Sequence, residues 1–316
     1  MGTASVPTVS VVVPAFNTAE YVAEAIQSAL SQTCTDLEVI VIDDGSTDAT
    51  ASIVKSIGAN DPRVELFVNP KSSGSSAARN TGLAAARGRY IAFLDSDDVW
   101  LPTYLATQLS AFEQFPDAAV VTANAVSFGG ETDGRLIRAS SSARRRIRLL
   151  DMIEHEDAVN IMSVLRREVY EEIGGFDVTL RRSEDYHFWL RAAAAGFGFV
   201  QTAEPLVRYR RRAGSLSSDE LKMYDAIVTV LERMRAICQG RVYVQQAIDR
   251  KIAELECRKL ALCAKTALRA GEFAAAADDF RQLYRRDRRV SRAILAAASR
   301  FAPRTLWWAD RLRRAV

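Results

Sequence analysis

Residues Tyr90 to Trp100 read YIAFLDSDDVW. The first half, a run of Tyr, Ile, Ala, Phe and Leu, has the pattern of a strand buried on both faces. The second half places Asp95, Asp97 and Asp98 within four positions. Two like charges about 4 Å apart repel by roughly 4 kcal/mol at an effective dielectric near 20. Three carboxylates at the mouth of a core strand therefore call for a neutralising partner, and hard oxygen ligands of this type suit Mg²⁺ or Mn²⁺ holding a diphosphate. The other reading is a solvated acidic loop that caps the next helix.

Working outward, the chain before this stretch alternates two periods. VSVVVPAF (Val9 to Phe16), LEVIVIDDGSTD (Leu37 to Asp48) and VELFV (Val64 to Val68) read as strands. Helical patterns separate them at Ala19 to Gln32, Ala49 to Ile57 and Ala78 to Ala86, the first opened by an Asn17–Glu20 pair that resembles a capping box. Strands and helices at this spacing predict a parallel sheet of βαβ units. Such sheets bind ligands beyond the carboxyl ends of their strands, which would gather Asn17, Asp43–Asp44 and Asp95–Asp98 at one edge. Further on, the pattern predicts a helix from Thr103 to Phe115, a strand from Ala118 to Phe128, an exposed basic patch at Ala143 to Arg148 and a helix starting near Glu184. From Asp219 the chain reads as helical, with two short helices around Gly271. The expected organisation is an α/β domain over 1–218 and a helical region over 219–316.

Composition narrows the class. Of 316 residues 48% are apolar and 26% charged, as in ordinary globular proteins. The net charge of +3 is uneven: residues 281–316 hold eleven Arg against Asp287 and Asp310, a local net of +9 that leaves −6 for the rest. Four cysteines without a CxxC pair make no disulfide framework, and no secretory signal precedes the first strand, so a cytoplasmic setting is expected. His155 and His187 are isolated in sequence, which gives a His/Cys zinc site little support. The longest apolar or Gly run, Ala192 to Val200, is far short of the roughly 20 residues that span a bilayer.

Three further groups can carry chemistry. Asp43 and Asp44, ahead of Gly45-Ser46-Thr47, can accept hydrogen bonds from a base or ribose, or they can simply form a turn and helix cap. The GxGxxG of a dehydrogenase is absent after these strands. Arg79, with Asn80 on the helix after a Gly/Ser-rich loop, suits phosphate recognition or is a surface charge. Glu184-Asp185 opens a helix in apolar and basic surroundings. It either supplies a general base or compensates the helix dipole.

Taken in order, VVVPAFNTAEYVAEAIQSALSQT, EVIVIDDGSTDAT, ARNTGLAAARGRYIAFLDSDD, GGFD, SEDYHFWLRAAAAG and PLVRYRRRAGSLS resemble an inverting glycosyltransferase of family 2 with the GT-A fold, over Val9 to Ser217. The resemblance implies a mixed, mainly parallel sheet with flanking helices. It implies that Pro14, Ala15 and Phe16 line a nucleotide pocket, that Asp43 or Asp44 meets the base, most often uracil, and that Arg79 lies beside the nucleotide. Asp95 and Asp97 match the DxD pair. Asp97, with Asp98 nearby, would meet an Mn²⁺ or Mg²⁺ ion on the sugar diphosphate, and Asp185 would deprotonate the acceptor hydroxyl with Glu184 beside it. Many relatives carry a His in the loop after Tyr-Arg; this chain carries Arg212 there, which cannot ligate a cation but can pair with a diphosphate.

The partners implied are a nucleotide-sugar donor and a glycan or lipid-linked acceptor. In the tail, Arg alternates with Leu283, Tyr284, Ile294, Leu295, Phe301, Leu306, Trp307 and Trp308. Such a segment either lies on an anionic membrane, at the inner face of the plasma membrane, or packs on the protein or a second protomer. Nucleic-acid binding has no recognised fold to accompany the charge. Two rival functions remain on sequence grounds. A sugar-phosphate nucleotidyltransferase would be expected to show a GxGTR-like loop where PAFNTAE stands, and a non-catalytic interaction module would tolerate loss of Asp97 or Asp185, both of which are present.

Overall fold

The computed structural model describes residues 6–130, 133–138, 145–212, 219–287 and 290–301. The chain divides into two compact units, Met1–Ser218 with Val230–Gly240, and Asp219–Thr229 with Arg241–Val316.

The first unit is built on one sheet. Strand β1 (Val9–Ala15) leads to helix α1 (Val22–Leu30), β2 (Leu37–Asp43) to α2 (Thr50–Asn60), and β3 (Val64–Val68) to α3 (Ser75–Ala85); β4 (Tyr90–Phe93) and β5 (Val99–Trp100) follow. After α4 (Tyr104–Gln114) come β6 (Ala118–Phe128), β7 (Arg145–Ile147), α5 (Leu149–Glu154), β8 (Ser163–Arg166), α6 (Arg167–Ile173), α7 (Glu184–Ala195) and β9 (Gly198–Arg210). The strand order is β3-β2-β1-β4-β8-β6-β9-β5, with β7 paired to β9. The pairs β2–β3, β1–β2, β1–β4 and β6–β9 are parallel; β8 runs against β4 and β6, and β5 and β7 run against β9.

All seven residues of β2 are buried, as are all but Pro14 of β1, because helices cover both faces of this half of the sheet. Register then fixes the site. Ala15 pairs with Asp43 and Asp43 with Val68, while the amide of Leu94 bonds the Val12 carbonyl. Because β8 reverses direction twice over, β9 runs parallel to β6 and, through β8, in the same sense as β4. The carboxyl ends of β1, β2, β4 and β9 therefore share one edge. Gly82 brings α3 down onto the sheet: a β-carbon there would lie 2.4 Å from Val12 Cγ1 and 2.7 Å from Ile42 Cδ1.

Several boundaries differ from those predicted. Asn17 does not cap α1. It has φ 50°, and its Oδ1 accepts from the Thr47 amide at 2.8 Å, so the helix begins only at Val22. Strands β5, β7, β8 and β9 were not expected, being short or of mixed pattern; pairing with neighbours makes them strands. Of the predicted basic patch 143–148, residues 143–144 lie outside the described residues; Arg145 is exposed and Arg146 pairs with Asp117.

Helix α8 (Glu220–Ile237) contributes its second half to the first unit, where Val230, Leu231, Met234 and Cys238 are buried. In the second unit, α9 (Val242–Ala270) ends at Gly271, whose φ of 81° forms the left-handed cap. The helix is 29 residues long, so the prediction of two short helices around Gly271 is corrected on its first member. Next come α10 (Phe273–Asp287) and α11 (Val290–Phe301), with Ala264, Phe280, Leu283 and Ala296 buried together against Cys257, Leu260, Ala261 and Leu295. The tail residues Leu306, Trp307 and Trp308, and the Ser215-Leu216-Ser217 end of the last family segment, lie outside the described residues. Among the described residues no helix is long and apolar enough to cross a membrane.

Candidate active site at the carboxyl edge of the sheet

The two acids after β2 have different work. Asp44 accepts from Asn69 Nδ2 (2.8 Å), Ser72 Oγ (2.8 Å) and the amides of Ser73 (2.9 Å) and Gly74 (2.8 Å). It thereby fixes the loop that leads into α3. Gly45, at φ 77°, permits the close passage of that loop, since a β-carbon would sit 2.9 Å from the Lys71 backbone. Asp43 is 1% exposed, and its Oδ1 has no hydrogen-bond partner among the described residues. An unsatisfied buried acceptor costs about 1–3 kcal/mol, which a donor on a ligand would recover. Of the pair, Asp43 is the one that keeps a carboxylate oxygen without a partner among the described residues. Beside it, Pro14 and Ala15 end β1, and Phe16 is 46% exposed. The segment from Asn17 to Ala19 is laced to 46–50 by Ser46 Oγ, the Thr47 amide, Asp48 and Thr50 Oγ1.

The Asp95–Asp98 turn closes on the Asp98 amide, which bonds the Asp95 carbonyl at 3.0 Å. Burial, then the charges of Asp95 and Asp97, push the Asp98 carboxyl well above the usual range. Its Oδ1 accepts from the Arg210 amide at 2.8 Å; its buried Oδ2 has no partner among the described residues. Burial and then Asp95 raise Asp97 as well, with Arg212 pulling against them. Arg212 Nε pairs with Asp97 Oδ2 at 2.8 Å. Arg210 is fastened beside it: Nε donates to the Asp97 carbonyl at 2.8 Å, its head pairs with Glu24, and its guanidinium lies over Tyr21 (4.6 Å) and Phe128 (4.2 Å).

Arg79 joins this turn to α7. The sequence offered it as a neighbour of the nucleotide; the structure buries it, with Nη2 on Asp95 and Nη1 on Glu184, both at 2.7 Å. Burial opposes its charge, yet Asp95 and Glu184 together hold the guanidinium above the usual arginine range. Ser75 Oγ also donates to Glu184 at 2.7 Å. Glu184 is thereby a structural anchor, and it presents Asp185. Ser183, at φ 55°, turns the chain into the helix through a left-handed conformation that costs about 1–3 kcal/mol in a residue with a β-carbon. Burial raises the half-buried Asp185 carboxyl to about 6, Glu184 adds to the rise, and Arg79 and the Tyr186 amide (2.8 Å) restrain it. Its proton affinity is that of a group that can accept a proton near neutrality.

Direct contacts thus unite Asp95, Arg79 and Glu184, and separately Asp97 and Arg212. Sequence reasoning missed Arg210, whose signal was the YRRR run, and the use made of Asn80. The Asn80 side chain clamps the Gly-Gly-Phe-Asp loop, accepting from the Phe176 amide at 2.7 Å and donating to its carbonyl at 2.9 Å. On the far side of that loop, Asp177 pairs with Arg233 of α8.

For a divalent cation, the donor chemistry fits. The turn offers carboxylate oxygens, one of them buried without a partner among the described residues, and burial first and the neighbouring acids second raise the proton affinities of Asp97 and Asp98. Among the described residues, no group of three or more His, Cys, Asp and Glu side chains is arranged to hold one.

The site therefore belongs to an α/β protein with an acidic turn after β4 and a separate carboxylate of raised proton affinity at the start of α7. The model of "Glycosyl transferase family 2" matches residues 10–174, more than half of the chain. The protein therefore belongs to glycosyltransferase family 2. It is similar to the succinoglycan biosynthesis protein ExoO of Rhizobium meliloti (35% identity over 225 residues, 67% of this chain), of which it spans 63%. It is also similar to the UDP-Glc:alpha-D-GlcNAc-diphosphoundecaprenol beta-1,3-glucosyltransferase WfaP of Escherichia coli (32% over 214 residues, covering 68% of this chain and 81% of that one). In fold it matches S. aureus TarS 1–349 in complex with UDP-GlcNAc, with a TM-score of 0.64, 21% identity, and coverage of 96% of this chain and 91% of that one. The GT-A-type mixed sheet with flanking helices and the helical C-terminal region are as expected.

Proposed function

We propose that this chain transfers a sugar from a UDP-linked donor to an acceptor hydroxyl with inversion, in the synthesis of a surface polysaccharide or glycolipid, with the helical region from residue 219 as an accessory unit. The observation that carries the reading is the separation of two carboxylate systems on one edge. The turn Asp95–Asp98 gathers negative charge where cationic groups are at hand, while Asp185, on another element and raised to about 6, is set up to exchange protons.

The chain's residues divide the reaction. Asp43 accepts from the base, and Pro14, Ala15 and Phe16 line its pocket. Asp185 takes the proton of the acceptor hydroxyl as its oxygen attacks the anomeric carbon, and the bond to the diphosphate breaks on the opposite face. Attack from that side inverts the anomeric centre. A base held in the clamp itself would be on the leaving-group side, whereas Asp185 stands on α7, which Arg79 ties to the clamp through Glu184. Where Mn²⁺ or Mg²⁺ is bound, Asp97 and Asp98 would hold it, and it would supply positive charge to the leaving diphosphate. The names of the relatives support the reading: ExoO is a succinoglycan biosynthesis protein and WfaP a glucosyltransferase named for UDP-Glc.

A panel of UDP-, GDP- and dTDP-sugars, assayed for release of free nucleoside diphosphate, tests it. Release from at least one UDP-sugar is expected, and turnover of none, or of GDP-sugars alone, would remove the UDP assignment. For the basic tail we propose a peripheral contact with anionic lipid. Flotation with anionic vesicles should then separate the full chain from one truncated before Arg281, and equal partitioning would contradict it.

A further inference from the structure

We infer that Arg212 is a resident counter-cation for the leaving diphosphate: it pairs with Asp97 and passes to the diphosphate when donor arrives, so that nucleoside diphosphate binding survives removal of divalent metal. The inference rests on the glycosyltransferase reading above.

Four observations meet at this residue. Arg212 reaches Asp97 Oδ2 through Nε at 2.8 Å, and a guanidinium presents the paired donors that suit a phosphate. Its guanidinium lies 5.7 Å from the centre of the Tyr21 ring, against 4.6 Å for Arg210 on the same ring. Two residues earlier, Arg210 is bolted to the same turn through its amide on Asp98, its Nε on the Asp97 carbonyl and its head on Glu24. Finally, the Arg212 side chain is 38% exposed where that of Arg210 is 15% exposed. Arg210 therefore fixes the end of β9 on the acidic turn, and Arg212 is the neighbouring cation with room to move.

The charge balance points the same way. Asp95 already has Arg79 and Asp97 has Arg212, so two of the three acids in the turn carry a protein cation. Were a cation held by Asp97, Arg212 would leave that oxygen or share the carboxylate with it. A displaced guanidinium is one short step from the phosphates that the same turn would hold. Arg212 thus adds a donor-binding contact that no carboxylate of the turn can provide.

Calorimetric binding of UDP to the full chain, with GDP and dTDP alongside, tests this in chelator and in Mn²⁺. Wild-type affinity is expected to fall less than tenfold in chelator. Arg212→Ala is expected to weaken binding in chelator tenfold or more and to recover most of it in Mn²⁺. Arg212→Lys, which keeps the charge without the paired donors, should fall between them. Thermal melts of each variant keep loss of fold distinct from loss of binding. Wild-type binding abolished by chelator, or Arg212→Ala binding as tightly as wild type in chelator, overturns the inference and leaves the glycosyltransferase reading standing. No nucleoside diphosphate bound by wild type in either condition overturns both.

Discussion

Asp185 shows how a single residue's stability and chemistry oppose each other. Its folded carboxyl titrates at about 6, above the ordinary aspartate value near 3.9. The charged form is therefore disfavoured by folding: the stability this group contributes is present below the ordinary value and is lost as pH rises through about 6. As the proposed base, Asp185 needs that same charged form, so the rate should rise with pH through a limb near 6, checked by a pH profile of kcat/KM. Asp185→Asn removes the buried charge and should raise the melting temperature at pH 8, by on the order of 1–3 kcal/mol of stability. A melting temperature clearly below wild type at that pH contradicts the assignment. The acids after β2 make a second contrast. Asp44→Ala strands four donors and should cost about 2–3 kcal/mol by denaturant unfolding, whereas Asp43→Ala should leave stability near wild type and weaken UDP binding about tenfold or more.

Between elements, the brace is Arg79, reaching from α3 to the turn after β4 and to the first residue of α7. Arg79→Met leaves two buried or half-buried acids unpaired and should destabilise by about 3–5 kcal/mol in chemical denaturation. Because Arg79 also holds the Asp185 carboxyl down, the acid limb of the pH–rate profile should move upward in that variant. An unmoved limb would show that Arg79 acts on the fold alone. The elements themselves were unevenly legible. β1, β2, β4 and β6 could be read because nearly all of their residues are buried and largely apolar runs follow, and β3 as a short apolar run although only Val64 of it is buried. β8 and β9 could not be, because pairing with neighbouring strands, antiparallel for β8 and parallel to β6 for β9, and not local pattern makes Ser163–Arg166 and Gly198–Arg210 strands. Asn17 misled for a physical reason: the same side chain that caps helices also satisfies a loop amide across the site. The ordered acids were visible in the sequence, but which of Asp43 and Asp44 is available, and what Arg79 holds, depends on contacts 16 to 105 residues apart.

At the scale of the molecule, the site is separated from what stabilises its sheet. At the amino ends of the strands, Ser10 Oγ and the Arg87 amide and Nε all donate to the buried Glu38, far in register from Asp43. Gly82 sets how closely α3, and with it Arg79, sits on β1 and β2. Gly82→Ala should cost about 1–3 kcal/mol by overpacking against Val12 and Ile42, read by thermal or denaturant unfolding. The reading of the whole molecule is a donor clamp and a base carried on different elements of one edge. The most direct test is the rate of UDP release from a turned-over UDP-sugar by wild type and Asp185→Asn, with UDP affinity measured on the same samples. The account predicts a rate lowered about a hundredfold or more with affinity unchanged; equal rates in the two proteins would contradict it.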